Sequence, residues 1–182
     1  MKAILTGLMV VALFALIVFT GRLAMSDEDE RGEAGAMVDP VTDPLYQQEC
    51  GACHFAYQPG WLPAASWTAI MGDLANHFGE NAELAPDTQA SLTAYLTRHA
   101  ADAAPGDRSP KALRSLKSAE PPLRISTLPY IVRKHHELSR KMVADNPKVL
   151  SLSQCTACHT RADAGSFDED DVAIPGFPNW DD

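Results

Sequence analysis

Apolar residues in this chain recur at every third or fourth position, and no stretch alternates strongly enough to predict a strand. The first helical stretch opens at Asp43-Pro44, an N-cap followed by proline at the first helical position, and is expected to run to Pro59-Gly60. A second, Pro63 to Phe78, sets Trp67, Ile70, Met71, Leu74 and Phe78 on one face and meets Gly79 as its stop. His77 falls on that apolar stripe. A third, Pro86 to Ala101, aligns Leu92, Tyr95, Leu96 and His99 and closes the first unit. Between Ala101 and Pro122 four prolines and a glycine interrupt any helical pattern, so the unit boundary is expected there. Beyond it Thr127 is expected to cap a helix from Leu128 to Val143, with Ile131, His135, Leu138 and Met142 sharing a face. The tail from Phe167 to Asp182 is acidic, carries scattered Ile174, Phe177 and Trp180, and reads as irregular chain.

The N-terminus is of another kind. Lys2 precedes an uncharged apolar run from Ala3 to Thr20, and the acidic cluster Asp27-Glu28-Asp29-Glu30 follows. This is an export segment, either an uncleaved membrane anchor with the body outside or a cleaved signal peptide. The expected organisation is a signal or anchor over 1–25 and an acidic tether over 26–42. A first unit then spans 43–101, a linker 102–122 and a second unit 123–182.

With 182 residues in all, each unit would be small for an independent core. The cysteines supply the reason it need not be larger. All four stand in two copies of one motif, Cys50-Gly51-Ala52-Cys53-His54 and Cys155-Thr156-Ala157-Cys158-His159. Cys-x-x-Cys-His is the attachment signal for c-type haem: the cysteines form thioethers with the two vinyl groups and the histidine binds the iron from one side. A lone Cys-x-x-Cys is ambiguous between zinc and thiol chemistry, but a four-cysteine zinc site would leave both motif histidines as coincidences. Two covalently bound haem c groups are therefore expected, and each is a large apolar body around which a short chain can pack. The expected fold is mostly α, with two small haem-binding helical units.

The second axial ligand decides what each iron does. Four histidines lie outside the motifs, His77, His99, His135 and His136, and beyond the tether the methionines are Met71 and Met142. For the first haem His77 is the choice, because an imidazole on an apolar stripe needs a partner. Met71 is the rival. For the second, His135 and His136 point about 100° apart on a helix, so one of them faces the iron. The stripe of Ile131, Leu138 and Met142 favours His135 and leaves His136 as the alternative.

The order Glu49-Cys50-Gly51-Ala52-Cys53-His54, Trp67, His77-Phe78-Gly79, Tyr95-Leu96, Arg124-Ile125-Ser126, Lys134-His135-His136-Glu137 and the second haem motif resembles the bacterial dihaem cytochrome c family. That resemblance covers about residues 43 to 176. It implies a first unit like a reduced class I cytochrome c and a second, irregular unit built around its haem. It also implies histidine on both sides of each iron, with His77 and His135 as the distal ligands. His136 departs from the residue expected after that ligand. Family members are found alongside an oxygen-binding monohaem cytochrome, the sphaeroides haem protein, and a membrane b-type cytochrome.

Net charge is −9, yet ten of the fifteen Lys and Arg lie between Arg108 and Lys148 among three acids, while both ends are acidic. Such a basic stretch suits haem propionates or an acidic redox partner. It lacks aromatic interleaving of the kind that nucleic-acid binding would need, so no nucleic acid is expected. The function expected from all this is electron transfer rather than catalysis. It is expected on the periplasmic side of the inner membrane, and the resemblance implies a quinol-linked membrane b-type cytochrome as donor and a small periplasmic haem protein as acceptor. The alternative is a dihaem peroxidase-like enzyme, or a gas-binding or sensor cytochrome, with one open iron.

Overall fold

The computed structural model describes residues 38–103, 111–116 and 120–180. The expected export segment and the tether up to residue 37 lie outside these residues. Among the described residues no helix is long and apolar enough to cross a membrane.

Five α-helices and six single 3₁₀ turns are described, and no strand is present among these residues. Helix α1 (Pro44–Gly51) starts as the sequence predicts, with the Asp43 carboxylate accepting the Tyr46 amide at 2.9 Å. It stops well short of Pro59. The Tyr46 hydroxyl donates to the Tyr57 carbonyl at 2.8 Å, which folds the following chain back across the helix and ends it inside the haem motif.

Helix α2 (Ala64–Gly72) and helix α3 (Pro86–Arg98) pack against each other and form the centre of the core. Trp67, Met71 and Leu74 are buried as the stripe requires, and across from them Leu92 and Leu96 are each 1 % exposed. Burying a leucine so completely contributes about 2 kcal/mol. The expected continuation of α2 to Phe78 is not found. Gly72 and Asp73 are poor helix formers, and the chain leaves the helix there for a 3₁₀ turn at Leu74–Asn76. Phe78 stands outside the stripe and is exposed.

Helix α4 (Lys111–Arg114) lies within the proline-rich stretch, and its Ala112 is fully buried in the same core. Helix α5 (Pro129–Lys134) is less than half the length expected. Its start moves because Leu128 precedes a proline and is held extended, so Thr127 closes a 3₁₀ turn instead of capping. Its end moves because β-branched Ile131 and Val132 and the two histidines lend little helical propensity. Turns replace the helix from His135 onward.

The chain around each motif touches the chain around the other. Tyr57 donates its hydroxyl to the Ser153 carbonyl at 2.6 Å, and the fully buried Gln58 donates to the Ala162 carbonyl at 2.5 Å. The Val38 amide reaches the Gly165 carbonyl, and the Trp61 ring meets Phe167 edge-on at 5.0 Å.

Candidate functional site

Each cysteine motif presents its histidine to a second histidine brought in by a different element. At the first motif, Cys50 and Gly51 are the last residues of α1 and Cys53 is exposed beyond it. His54 follows in a bend. A carbonyl can only accept, so the 2.7 Å contact between His54 Nδ1 and the Phe55 oxygen places the proton on Nδ1 and leaves Nε2 as a free donor of electrons.

His77 reaches the same place by a tight turn. Its amide donates to the Glu80 carbonyl at 2.7 Å, and Glu80 returns the bond at 3.2 Å. The two central residues, Phe78 at φ 59° and Gly79 at φ 104°, both adopt the left-handed backbone that a type I′ turn demands. Gly79 is therefore a turn glycine rather than a helix stop. The turn holds the His77 ring 6.1 Å from the His54 ring with only 12° between their planes. Burial, the neighbouring His54 and the Arg124 guanidinium together lower the His77 pKa, which keeps it unprotonated.

At the second motif, Cys155–Ala157 is a 3₁₀ turn and His159 follows it. The tail folds over this histidine, with Ala173 donating to the Cys158 carbonyl at 2.8 Å and Thr160 to Asp171 at 3.1 Å. Burial and the adjacent His135 push the His159 pKa down to about 4. Its Nδ1 is buried without a hydrogen-bond partner. His135, the C-cap of α5, turns its Nδ1 onto the Ile131 carbonyl at 2.8 Å and so presents Nε2 outward. The His135 and His159 rings stand 5.9 Å apart at 72°.

These separations fit an iron between each pair. Two metal–nitrogen bonds of about 2 Å plus the two half-rings give roughly 6 Å between imidazole centroids. Burial pushes the Cys50 and Cys155 thiols up to about 11 and raises Cys158, so none of these is a poised thiolate nucleophile. Among the described residues no three His, Cys, Asp or Glu side chains converge on a common metal point, as a four-cysteine zinc site would need.

The other candidates fall elsewhere. His136 projects into solvent with its side chain 67 % exposed and its Nε2 3.5 Å from Glu137. Met71 is buried in the core on α2, and Gln89 donates to its carbonyl at 2.6 Å. His99 is exposed and rests on the Tyr95 ring at 4.8 Å. Two aromatic neighbours went unnoticed in the sequence: Tyr57, 5.2 Å from the His54 ring, and Phe167, 5.2 Å from the His159 ring. Tyr57 stands three residues past its motif histidine, but no spacing rule marks Phe167.

A helical chain with two Cys-x-x-Cys-His motifs, each opposed by a further histidine, has the make-up of a multihaem c-type cytochrome. The dihaem cytochrome c family model matches residues 46–167, and the chain belongs to that family. It is similar to the dihaem cytochrome c of Rhodobacter sphaeroides, with 47% identity over 71% of this chain and 100% of that one at a TM-score of 0.63. It is also similar to the dihaem cytochrome c of Shewanella baltica OS155, with 45% identity over 76% of this chain and 97% of that one at a TM-score of 0.61. Comparison with curated protein sequences gave no match. The chain is thus an electron-transfer cytochrome with two covalently bound haem c groups.

Proposed function

We propose that this cytochrome is an electron carrier on the periplasmic side of the inner membrane, with histidine on both faces of each iron. Cys50 and Cys53 attach the first haem, and His54 and His77 ligate it. Cys155 and Cys158 attach the second, and His159 and His135 ligate it. The observation that carries this reading is the opposition of the ring pairs at 6.1 Å and 5.9 Å, each pairing a motif histidine with one from another element.

When bound, each haem supplies a one-electron couple between ferric and ferrous iron. The protein's part is to hold four imidazoles in place. Burial lowers the pKa of His77 and His159, and hydrogen bonds from Nδ1 to backbone carbonyls orient the rings of His54 and His135. Closing both axial positions leaves no room for a substrate or gas at the iron, and two nitrogen ligands hold the potential below that of a methionine-ligated haem. The membrane b-type donor and the oxygen-binding monohaem acceptor follow from the family resemblance. The basic stretch, with exposed Arg124, Arg133 and Arg140, supports docking to an acidic partner.

The test is electron paramagnetic resonance of the ferric protein, together with the optical spectrum of the reduced protein under carbon monoxide. Two low-spin signals are expected and no carbon monoxide adduct. The 12° pair should give the rhombic signal of near-parallel imidazoles, and the 72° pair the more anisotropic signal of crossed ones. His135→Ala is expected to open the second iron and admit carbon monoxide, while His136→Ala leaves both signals in place. A high-spin fraction near one haem per wild-type molecule would instead favour the enzyme or gas-binding reading.

A further inference from the structure

The first haem site takes a cation from beyond the proline-rich stretch that ends at Pro122. The guanidinium carbon of Arg124 lies 4.1 Å from the centroid of the Phe78 ring. Phe78 in turn meets the His77 ring edge-on at 4.9 Å. The tight turn that presents His77 therefore also presents the ring on which the guanidinium rests, a cation–π seat. The Arg124 main chain is held too, since its carbonyl accepts the Thr127 hydroxyl at 2.9 Å and the Thr127 amide at 3.2 Å. The His77 side of the first pair thus lies close to a cation held in place.

The second site is arranged differently. Lys134, next to His135, contacts the Glu169 carboxylate at 2.6 Å, and Arg161, two residues past His159, lies 3.5 Å from Asp171. Both of these cations are matched by carboxylates, while Arg133, two residues before His135, rests over the Tyr130 ring at 5.4 Å.

We propose that Arg124 raises the reduction potential of the first haem relative to the second, and so sets the order in which the two irons take up electrons. Ferric iron in this site carries one more positive charge than ferrous iron, so a fixed neighbouring cation favours the reduced state. The proposal rests on the reading that His54 and His77 bind the first iron. For charges about 10 Å apart in a partly solvated site, the effect is roughly two- to tenfold in the redox equilibrium, or ~20–60 mV at 59 mV per tenfold.

The experiment is a redox titration of the full haem-loaded chain, followed by electron paramagnetic resonance so that the near-parallel and crossed signals are read separately. Arg124→Gln is expected to lower the midpoint of the near-parallel signal by that amount and leave the crossed signal where it was. Arg124→Glu should lower it further and Arg124→Lys should restore most of it. The shift should shrink as salt is raised, because the guanidinium is exposed. An unchanged midpoint in Arg124→Gln, or equal shifts at both haems, would overturn the proposal. Should the wild type lack two low-spin signals, the ligand reading fails first and the proposal with it. The unchanged crossed signal in each variant serves as the check on folding.

Discussion

Replacing Gln58 by alanine and, separately, by leucine should separate what this buried amide contributes by its volume from what it contributes by its hydrogen bond. Gln58 is fully buried and donates at 2.5 Å to the carbonyl of Ala162, three residues past His159. Its Oε1 has no partner. The Ala162 carbonyl also accepts the Gly165 amide at 2.9 Å, so losing the glutamine does not leave it bare. The hydrogen bond is therefore worth about 1 kcal/mol, and removing the unpaired Oε1 from the interior returns a comparable amount. Leucine keeps the volume, and Gln58→Leu should be within about 0.5 kcal/mol of wild type. Alanine leaves a cavity, and Gln58→Ala should cost about 1–2 kcal/mol. The assay is guanidinium unfolding of the haem-loaded protein, in which a slope of roughly 4 kcal/mol/M turns that cost into a midpoint shift of about 0.25–0.5 M. A loss of 2 kcal/mol or more for Gln58→Leu would refute the reasoning, because it would mean that Oε1 is satisfied in the loaded protein.

Two further predictions concern the first unit. Burial, with Tyr95 and Tyr57 adding to it, raises the Tyr46 pKa well above its ordinary 10.0. The folded state thus resists losing this proton more than the unfolded state does. Its contribution is complete below pH 10 and is lost as pH rises beyond it. Tyr46→Phe should therefore cost about 1 kcal/mol at neutral pH, through the bond to the Tyr57 carbonyl, yet flatten the alkaline fall in an unfolding series. Asp43→Ala should cost about 1 kcal/mol by freeing the Tyr46 amide, seen as faster hydrogen exchange in the first turn of α1. Unchanged exchange there would show that Pro44 alone holds the helix start.

The covalent chemistry could be read before any fold was known, because Cys-x-x-Cys-His is a local arrangement whose spacing is its meaning. The helical class and the buried faces of α2 and α3 were legible for a related reason: Trp67, Met71, Leu74, Leu92 and Leu96 repeat at the helical period, and burial follows the period. Periodicity was misleading where tertiary contacts competed with it. Phe78 fits the stripe of α2, but Gly72 and Asp73 break the helix and a two-residue turn carries His77 to His54 by another route. Likewise Leu138 and Met142 extend the apolar spacing of α5, yet the helix ends at Lys134 and His135 stands at its cap. The choice between His135 and His136 rested in the sequence on a helix face that does not continue. In the structure the 5.9 Å approach of His135 to His159 and the solvent exposure of His136 separate the two. Phe167 and Arg124 belong to the sites only through packing between distant segments, which no local pattern encodes. Motif spacing and period are properties of neighbours along the chain, so they survive in the sequence alone. The pairing of histidines across the chain depends on which turns the core allows, and only the folded molecule decides that.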